Sequence, residues 1–188
     1  TALAWDTVIP FAPMWEQLKR VVKPNGAIVL FGSQPFTSML VTSNLSMFKY
    51  SLVWEKNTGT RFLDAKKRPL NCHEDIVVFC DGQPTYNPQK FLGQKTHARR
   101  AVGTINTSRH YRGGIVNLPS DESGYKYPRS VLYFDTVAPS LVKHPTQKPV
   151  DLMGYLIRTY TNAGNRVLDF AMGSGTTGVA CMQLGRDF

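Results

Sequence analysis

The sequence predicts an α/β domain, a mainly parallel sheet wrapped by helices. Three observations predict it. In the first part of the chain, short apolar runs alternate with stretches whose apolar residues recur at helical spacing. Proline, asparagine and glycine stand at the boundaries between these stretches, where turns need them. At 188 residues the chain fits one domain, or one domain carrying a sizeable insertion.

The elements follow in order. Residues 14–22 place Met14, Trp15, Leu18, Val21 and Val22 on one helical face, and Pro24-Asn25-Gly26 stops that helix. Residues 27–31 are apolar at every position, which suits an inner strand covered on both faces. Gly32-Ser33 closes the strand, residues 35–48 read as a second helix, and residues 50–54 and 75–80 read as further strands. Over residues 58–143 the periodic patterns thin out, apart from the strand around Ile76. Within that span, residues 89–114 hold six basic side chains and no acidic one. This reads as a long insertion, and loops of that length are functional or disordered. Regular structure resumes at Pro149, which fits the first turn of a helix running to about Tyr160 with Leu152, Tyr155 and Leu156 on one face. Residues 162–165 form a turn, 166–170 a strand, 171–175 a glycine-bearing loop and 176–184 a helix.

Composition excludes several classes. No run approaches the roughly 20 apolar residues that a membrane span needs, and the opening residues lack the basic and apolar regions of a secretory signal. Three cysteines without a CxxC pair argue against a disulfide framework or a structural zinc site and fit a reducing cytosol; all three read as small core residues. No pair of histidines has metal-site spacing with a third ligand nearby. The net charge of +9 favours a polyanionic partner, since phosphate contacts release counterions.

The most informative stretch is residues 167–177, VLDFAMGSGTT. It reads as a strand, a tight glycine turn and a helix start. Glycine allows backbone angles closed to other residues and lets a ligand approach the main chain. Free amides at a helix start receive polar or anionic groups. In open α/β sheets, ligands sit beyond the carboxyl ends of the strands. The other reading of the spacing is a glycine turn that only joins strand to helix.

The run DFAMGSGTTGVA resembles motif I of the DNA amino-methyltransferases, usually DPFxGSGTT, with Phe170 and Ala171 standing where Pro and Phe are usual. Some twenty residues earlier, His144-Pro145-Thr146-Gln147-Lys148-Pro149 is similar to that family's motif X, HPTQKP. Lys23-Pro24-Asn25-Gly26 before an apolar strand, residues 50–56 and residues 73–79 resemble further blocks of the same family. The order of the blocks is that of the β class.

The resemblance implies a Rossmann-like methyltransferase fold and S-adenosylmethionine as cofactor. It implies that Gly173, Ser174, Gly175, Thr176 and Thr177 cradle the methionine moiety, with Thr146, Gln147, Lys148 and Pro149 across the pocket. Asp169 and Phe170 would stand at the strand end, the carboxylate close to the cofactor's positive charges. It implies methyl transfer to the N6 amine of adenine in double-stranded DNA. A cytosine N4 methyltransferase, an enzyme of this fold acting on RNA or protein, and a catalytically inactive DNA-binding module of the same fold remain alternatives. A homodimer, a cognate restriction endonuclease and a cytoplasmic location are further expectations.

The family's catalytic tetrapeptide, [DNS]PP[YFW], does not occur in these residues, so no catalytic residue is assigned. In relatives it would stand just before residue 1, and a strand ending in an acidic residue would follow residue 188. The expectation is a fragment with little activity alone. The family's target-recognition segment lies where the basic insertion lies here. Lys95, Arg99, Arg100, Arg109 and Arg112 are the expected DNA contacts, since arginine pairs with phosphates or reads guanine edges. Tyr86, His97, His110 and Tyr111 are placed to stack on bases. The competing reading is a solvated loop.

Overall fold

The computed structural model describes residues 7–93, 105–106, 115–116 and 124–188. The chain divides into two compact units: residues 1–87 with 129–188, and Pro88–Pro128.

The larger unit is built on a four-stranded sheet in the order β1 (Ile28–Gly32), β3 (Asn71–Phe79), β2 (Phe48–Thr60), β8 (Val131–Tyr133). Alternation along β3 explains its central place. Val77 and Phe79 face one side and Ile76 and Val78 the other, and all four are fully buried. On the first side lie α1 (Phe11–Val21) and α2 (Phe36–Ser43), whose Trp15, Leu18 and Leu40 close the core with Ile28 and Met47. On the second side α3 (Val150–Tyr160) lays Leu152, Leu156 and Tyr160 against Trp54, Ile76, Val78 and Leu132. The opposite flank of α3 presents Ile157 to Ala180 and Cys181 of α4 (Thr176–Gln183). Thus α3 is clamped between the sheet and the helix that follows the glycine loop.

The α/β class and the helix-covered sheet are as the sequence predicts, but the sheet is mixed rather than mainly parallel. β1 and β3 run antiparallel, as do β2 and β3, and β8 alone pairs in parallel, with β2. The cause is the connection between β2 and β3. It is a short hairpin turn holding one turn of 3-10 helix (Phe62–Asp64), and a connection that short forces antiparallel pairing. β1, read as an inner strand, is an edge strand among the described residues.

Three other expectations are corrected. The second helix ends at Ser43, five residues early: Asn44 leaves helical geometry, and Met47 turns into the core as β2 begins. Residues 166–170 form no strand of the four-stranded sheet, and Phe170 already lies in a turn. Their backbone partner is the C-terminal segment, through an Arg166–Asp187 bridge and the Val167 amide bonded to the Asp187 carbonyl at 2.9 Å. Cys72 is exposed near the start of β3, whereas Cys80 and Cys181 are buried.

Asn87 anchors the far end of α3, where carbonyls lack helical partners. Its amide nitrogen donates to the carbonyls of Arg158 (3.2 Å) and Thr161 (3.1 Å) and to Asn162 Oδ1 (3.0 Å). Replacing Asn87 with alanine is expected to cost about 1–2 kcal/mol of stability, read as a shift of the urea midpoint with unchanged slope.

In the smaller unit β4 (Phe91–Leu92) pairs antiparallel with β7 (Tyr125–Lys126), and β5 (Ile105–Asn106) pairs antiparallel with β6 (Ile115–Val116). Lys90 Nζ lies 4.7 Å from the centre of the Tyr127 ring. Among the described residues no helix is long and apolar enough to cross a membrane, and no group of three His, Cys, Asp or Glu side chains could hold a metal.

Candidate functional site

The glycine loop is built by its two left-handed residues. Gly173 has φ 51° and Gly175 φ 75°, a region that costs any residue with a Cβ. Gly175 stands at the N-cap position of α4 without a side-chain cap, so the first amides of that helix lack an internal or capping acceptor. Asp169 fastens the loop from its other end. Its Oδ1 accepts from the Ala171 amide at 3.0 Å, and its Oδ2 accepts from the Thr177 hydroxyl at 2.5 Å. The hydroxyls of Ser174 and Thr176 meet at 3.0 Å. Thr176 and Thr177 are buried, while Phe170 and Gly173 are exposed on the outer side of the loop. Thr177→Val is expected to lower stability by about 1 kcal/mol by removing the bond to Asp169, as a thermal melt would register.

The second motif folds into a turn ahead of α3. The Lys143 amide donates to Gln147 Oε1 at 2.7 Å, and the Gln147 amide donates to the His144 carbonyl at 3.0 Å. The Thr146 amide and hydroxyl both approach His144 Nδ1, at 3.3 and 3.1 Å. Pro149 is buried at the helix start and Thr146 is exposed.

The two motifs, some twenty residues apart in the chain, meet in space. A Cβ placed on Gly173 would lie 3.3 Å from His144 Nδ1 and 3.5 Å from two other atoms of that ring. The imidazole thus closes on a backbone position that only glycine leaves open.

Lys148 takes a different direction from its neighbours. Its Nζ pairs with Glu74 Oε2 at 2.9 Å, and Lys56 Nζ pairs with Glu74 Oε1 at 2.5 Å. The same Lys148 ammonium lies 5.0 Å from the Phe31 ring centre and 5.8 Å from that of Trp54. All three charged side chains are no more than 20% exposed. Burial pushes the Glu74 carboxyl upward in pKa, but the charge of Lys148 and the hydrogen bonds from Lys56 and Lys148 outweigh it and hold the group below its ordinary 4.5. Glu74 is opposite Trp54 in the β2–β3 register, near the carboxyl end of β1.

Thr146, Gln147, Pro149, Asp169, Gly173, Ser174, Gly175, Thr176 and Thr177 therefore belong to two abutting turns, with Phe170 on the exposed side and Lys148 turned to the sheet. His144, Lys56, Glu74 and Trp54 are participants that the sequence reading leaves unassigned. His144 carries a signal as the first residue of the HPTQKP run, and Trp54, Lys56 and Glu74 carry a weaker one, since they lie in the family-like blocks 50–56 and 73–79. Lys95, Arg99, Arg100, Arg109 and Arg112 lie outside the described residues, as do His97, His110 and Tyr111. Tyr86 stands in the larger unit, its ring centre 6.5 Å from that of Tyr160.

Comparison with known proteins gives concordant results. A family model described as DNA methylase matches residues 5–188. The chain is 29% identical over 190 residues to the type II methyltransferase M.HpaI of Haemophilus parainfluenzae, covering 98% of this chain and 55% of that protein. It is 29% identical over 175 residues to the DNA adenine methyltransferase YhdJ of Escherichia coli (strain K12), covering 90% and 56%. The chain thus spans about half the length of these relatives. The crystal structure of an M1.HpyAVI–SAM complex superposes with a TM-score of 0.62 at 26% identity, covering 99% of this chain and 77% of that one. The cytosine-N4-specific PvuII DNA methyltransferase superposes with a TM-score of 0.58 at 15% identity, covering 88% and 58%. These likenesses show a shared Rossmann-like methyltransferase fold.

Proposed function

The chain belongs to the N6/N4 DNA methylase family, and from that premise we propose that it binds S-adenosylmethionine and serves methyl transfer to the N6 amine of adenine in DNA. The observation that carries the reading is the approach of His144 to Gly173, which brings the two motifs into one site. Adenine is favoured over cytosine because a relative named as an adenine methyltransferase aligns over 90% of the chain, whereas the likeness to the cytosine-N4 enzyme is one of fold.

The residues present fit such a cofactor. Two left-handed glycines leave the main chain open, and the uncapped amides of α4 face the same loop. Bound there, the cofactor supplies an electrophilic methyl group on a sulfonium. Asp169, held by Ala171 and Thr177, fixes the shape of the loop and would add negative charge beside a cationic ligand. Gln147 and Thr146 hold the opposing turn around His144, and Lys148 pins that turn to the sheet through Glu74. The residues assigned here bind and orient. An exocyclic amine, whose lone pair is delocalised into the base, needs acceptor groups on its hydrogens, and none of these residues is assigned that task.

Under this reading the target-recognition segment lies within residues 58–143, most basic at 89–114, with Lys95, Arg99, Arg100, Arg109 and Arg112 on the DNA backbone or on guanine edges. A second copy and a cognate restriction endonuclease are the further partners it implies. Two measurements test the reading. Photocrosslinking of radiolabelled S-adenosylmethionine should label peptides containing 144–149 and 171–177. Nucleoside mass spectrometry of DNA from cells expressing the reading frame that encodes the chain should find N6-methyldeoxyadenosine. Label confined to other peptides would remove the site, and N4-methyldeoxycytidine in place of the adenine product would change the base.

A further inference from the structure

The β2–β3 hairpin carries a surface that neither cofactor motif uses. β2 pairs with β8 only over Val53–Glu55, and its last residues pair with β3 alone, through Thr60 and Asn71. The hairpin end therefore extends beyond the rest of the sheet. At its tip Phe62 is 74% and Leu63 86% exposed, the latter the most exposed of the large apolar side chains among the described residues. Four cations flank them, Arg61, Lys66, Lys67 and Arg68, against one acidic residue, Asp64. Among the described residues none of the four makes an ion pair.

The tip is a formed structure. Asp64, Ala65, Lys67 and Arg68 donate backbone hydrogen bonds to the carbonyls of Arg61, Phe62, Asp64 and Asp64, at 2.9, 3.1, 2.8 and 3.0 Å. Arg61 has φ 66°, a left-handed conformation that a residue with a side chain adopts only when its surroundings hold it there. Leu70 folds over Gly59, where a Cβ would come within 2.9 Å of the leucine's Cβ.

We infer that this hairpin is a second DNA-contacting element, in which Arg61, Lys66, Lys67 and Arg68 hold the phosphate backbone while Phe62 and Leu63 wedge against the bases. The inference rests on the DNA reading given above and adds to it a specific place and mode of contact. Exposed apolar side chains at a hydrogen-bonded tip cost solubility unless a partner covers them. The four cations beside them, without an ion pair among the described residues, select a polyanion as that partner. Phenylalanine and leucine wedges that part stacked bases, with phosphate-binding cations beside them, form a general mode of duplex distortion. Duplex distortion is also what a reaction on a base amine inside a helix requires.

Two variants of the 188-residue chain test it, both confined to the hairpin tip and outside the cofactor site. Binding is measured by fluorescence anisotropy with a mixed-sequence duplex carrying 2-aminopurine, across a salt series. Phe62→Ser with Leu63→Ser should weaken duplex binding about tenfold, leave the salt slope unchanged and abolish the rise in 2-aminopurine fluorescence that reports unstacking. Lys66→Gln, Lys67→Gln and Arg68→Gln together should weaken binding and flatten the slope of log affinity against log salt by about 2.7, at about 0.9 for each phosphate no longer neutralised. Wild-type binding retained in full by both variants would overturn the hairpin's role and leave the DNA reading standing. A wild-type chain that binds no duplex at low salt would overturn both. Variants that bind duplex normally but lose binding to phosphatidylserine vesicles would make the tip a membrane-surface element, and the inference would fall.

Discussion

Gly173→Val is expected to lower affinity for S-adenosylmethionine at least about thirtyfold while leaving the domain folded. The left-handed conformation at φ 51° costs an L-residue about 1–2 kcal/mol, and a β-branched side chain more. The new Cβ would also stand 3.3 Å from His144 Nδ1, so the ring must move or the loop must. The loop is exposed at Gly173, so it relaxes into another shape at little global cost. Binding then requires a loop shape that is rarely populated, and affinity falls by that fraction, about 2 kcal/mol or thirtyfold. Calorimetric titration gives the affinity and a melt gives the stability. Gly164→Val is the control, since Gly164 has φ 74° but nothing within 4 Å of its would-be Cβ. It should lose stability and keep affinity. Equal affinity for wild type and Gly173→Val would remove the loop from the site.

The contrast between these glycines shows what is legible in a sequence. Positive φ is cheapest in glycine, so Gly173 and Gly175 are readable one letter at a time. Helix faces are readable for a similar reason: Trp15 and Leu18, and Leu152 and Leu156, repeat at the spacing that burial demands. Strand direction is not readable, because an apolar run is the same whether its neighbour is parallel or antiparallel. Only the connection decides, and the residues between β2 and β3 form a hairpin where a parallel sheet would need a helical crossover. The extent of α2 is misleading because Leu45 and Met47 continue its apolar spacing, although Leu45 is 63% exposed and Met47 serves the core from outside the helix. Glu74 lies in the family-like block 73–79, but its ion pairs are illegible in the sequence. Its two partners lie 18 and 74 positions away in the chain, and only the fold makes them neighbours.

Glu74 is the basis of the second large effect. Glu74→Gln is expected to destabilise the chain by about 3–5 kcal/mol at neutral pH, because it leaves Lys56 and Lys148, 12% and 20% exposed, charged and unpaired under Trp54 and Phe31. The pH dependence fixes the cause. The folded carboxyl is held below its ordinary 4.5, chiefly by Lys148 and Lys56 acting against burial. In the window between the two values the unfolded chain binds the proton that the folded chain refuses, so stability rises with pH across it. The contribution is fully present above pH 4.5 and is lost as pH falls through the folded value. The glutamine variant should therefore lose this part of the wild type's acid sensitivity, as well as stability at pH 7. A further replacement separates charge from packing. Glu74→Leu combined with Lys56→Met and Lys148→Met removes the charges together and should recover most of the lost stability, since apolar groups of similar volume substitute for buried ion pairs at little net cost. A triple variant no more stable than Glu74→Gln would mean that the ion cluster matters for its shape and not its charge. The turn at 143–149 would then be held to the sheet by Pro149 and α3 alone.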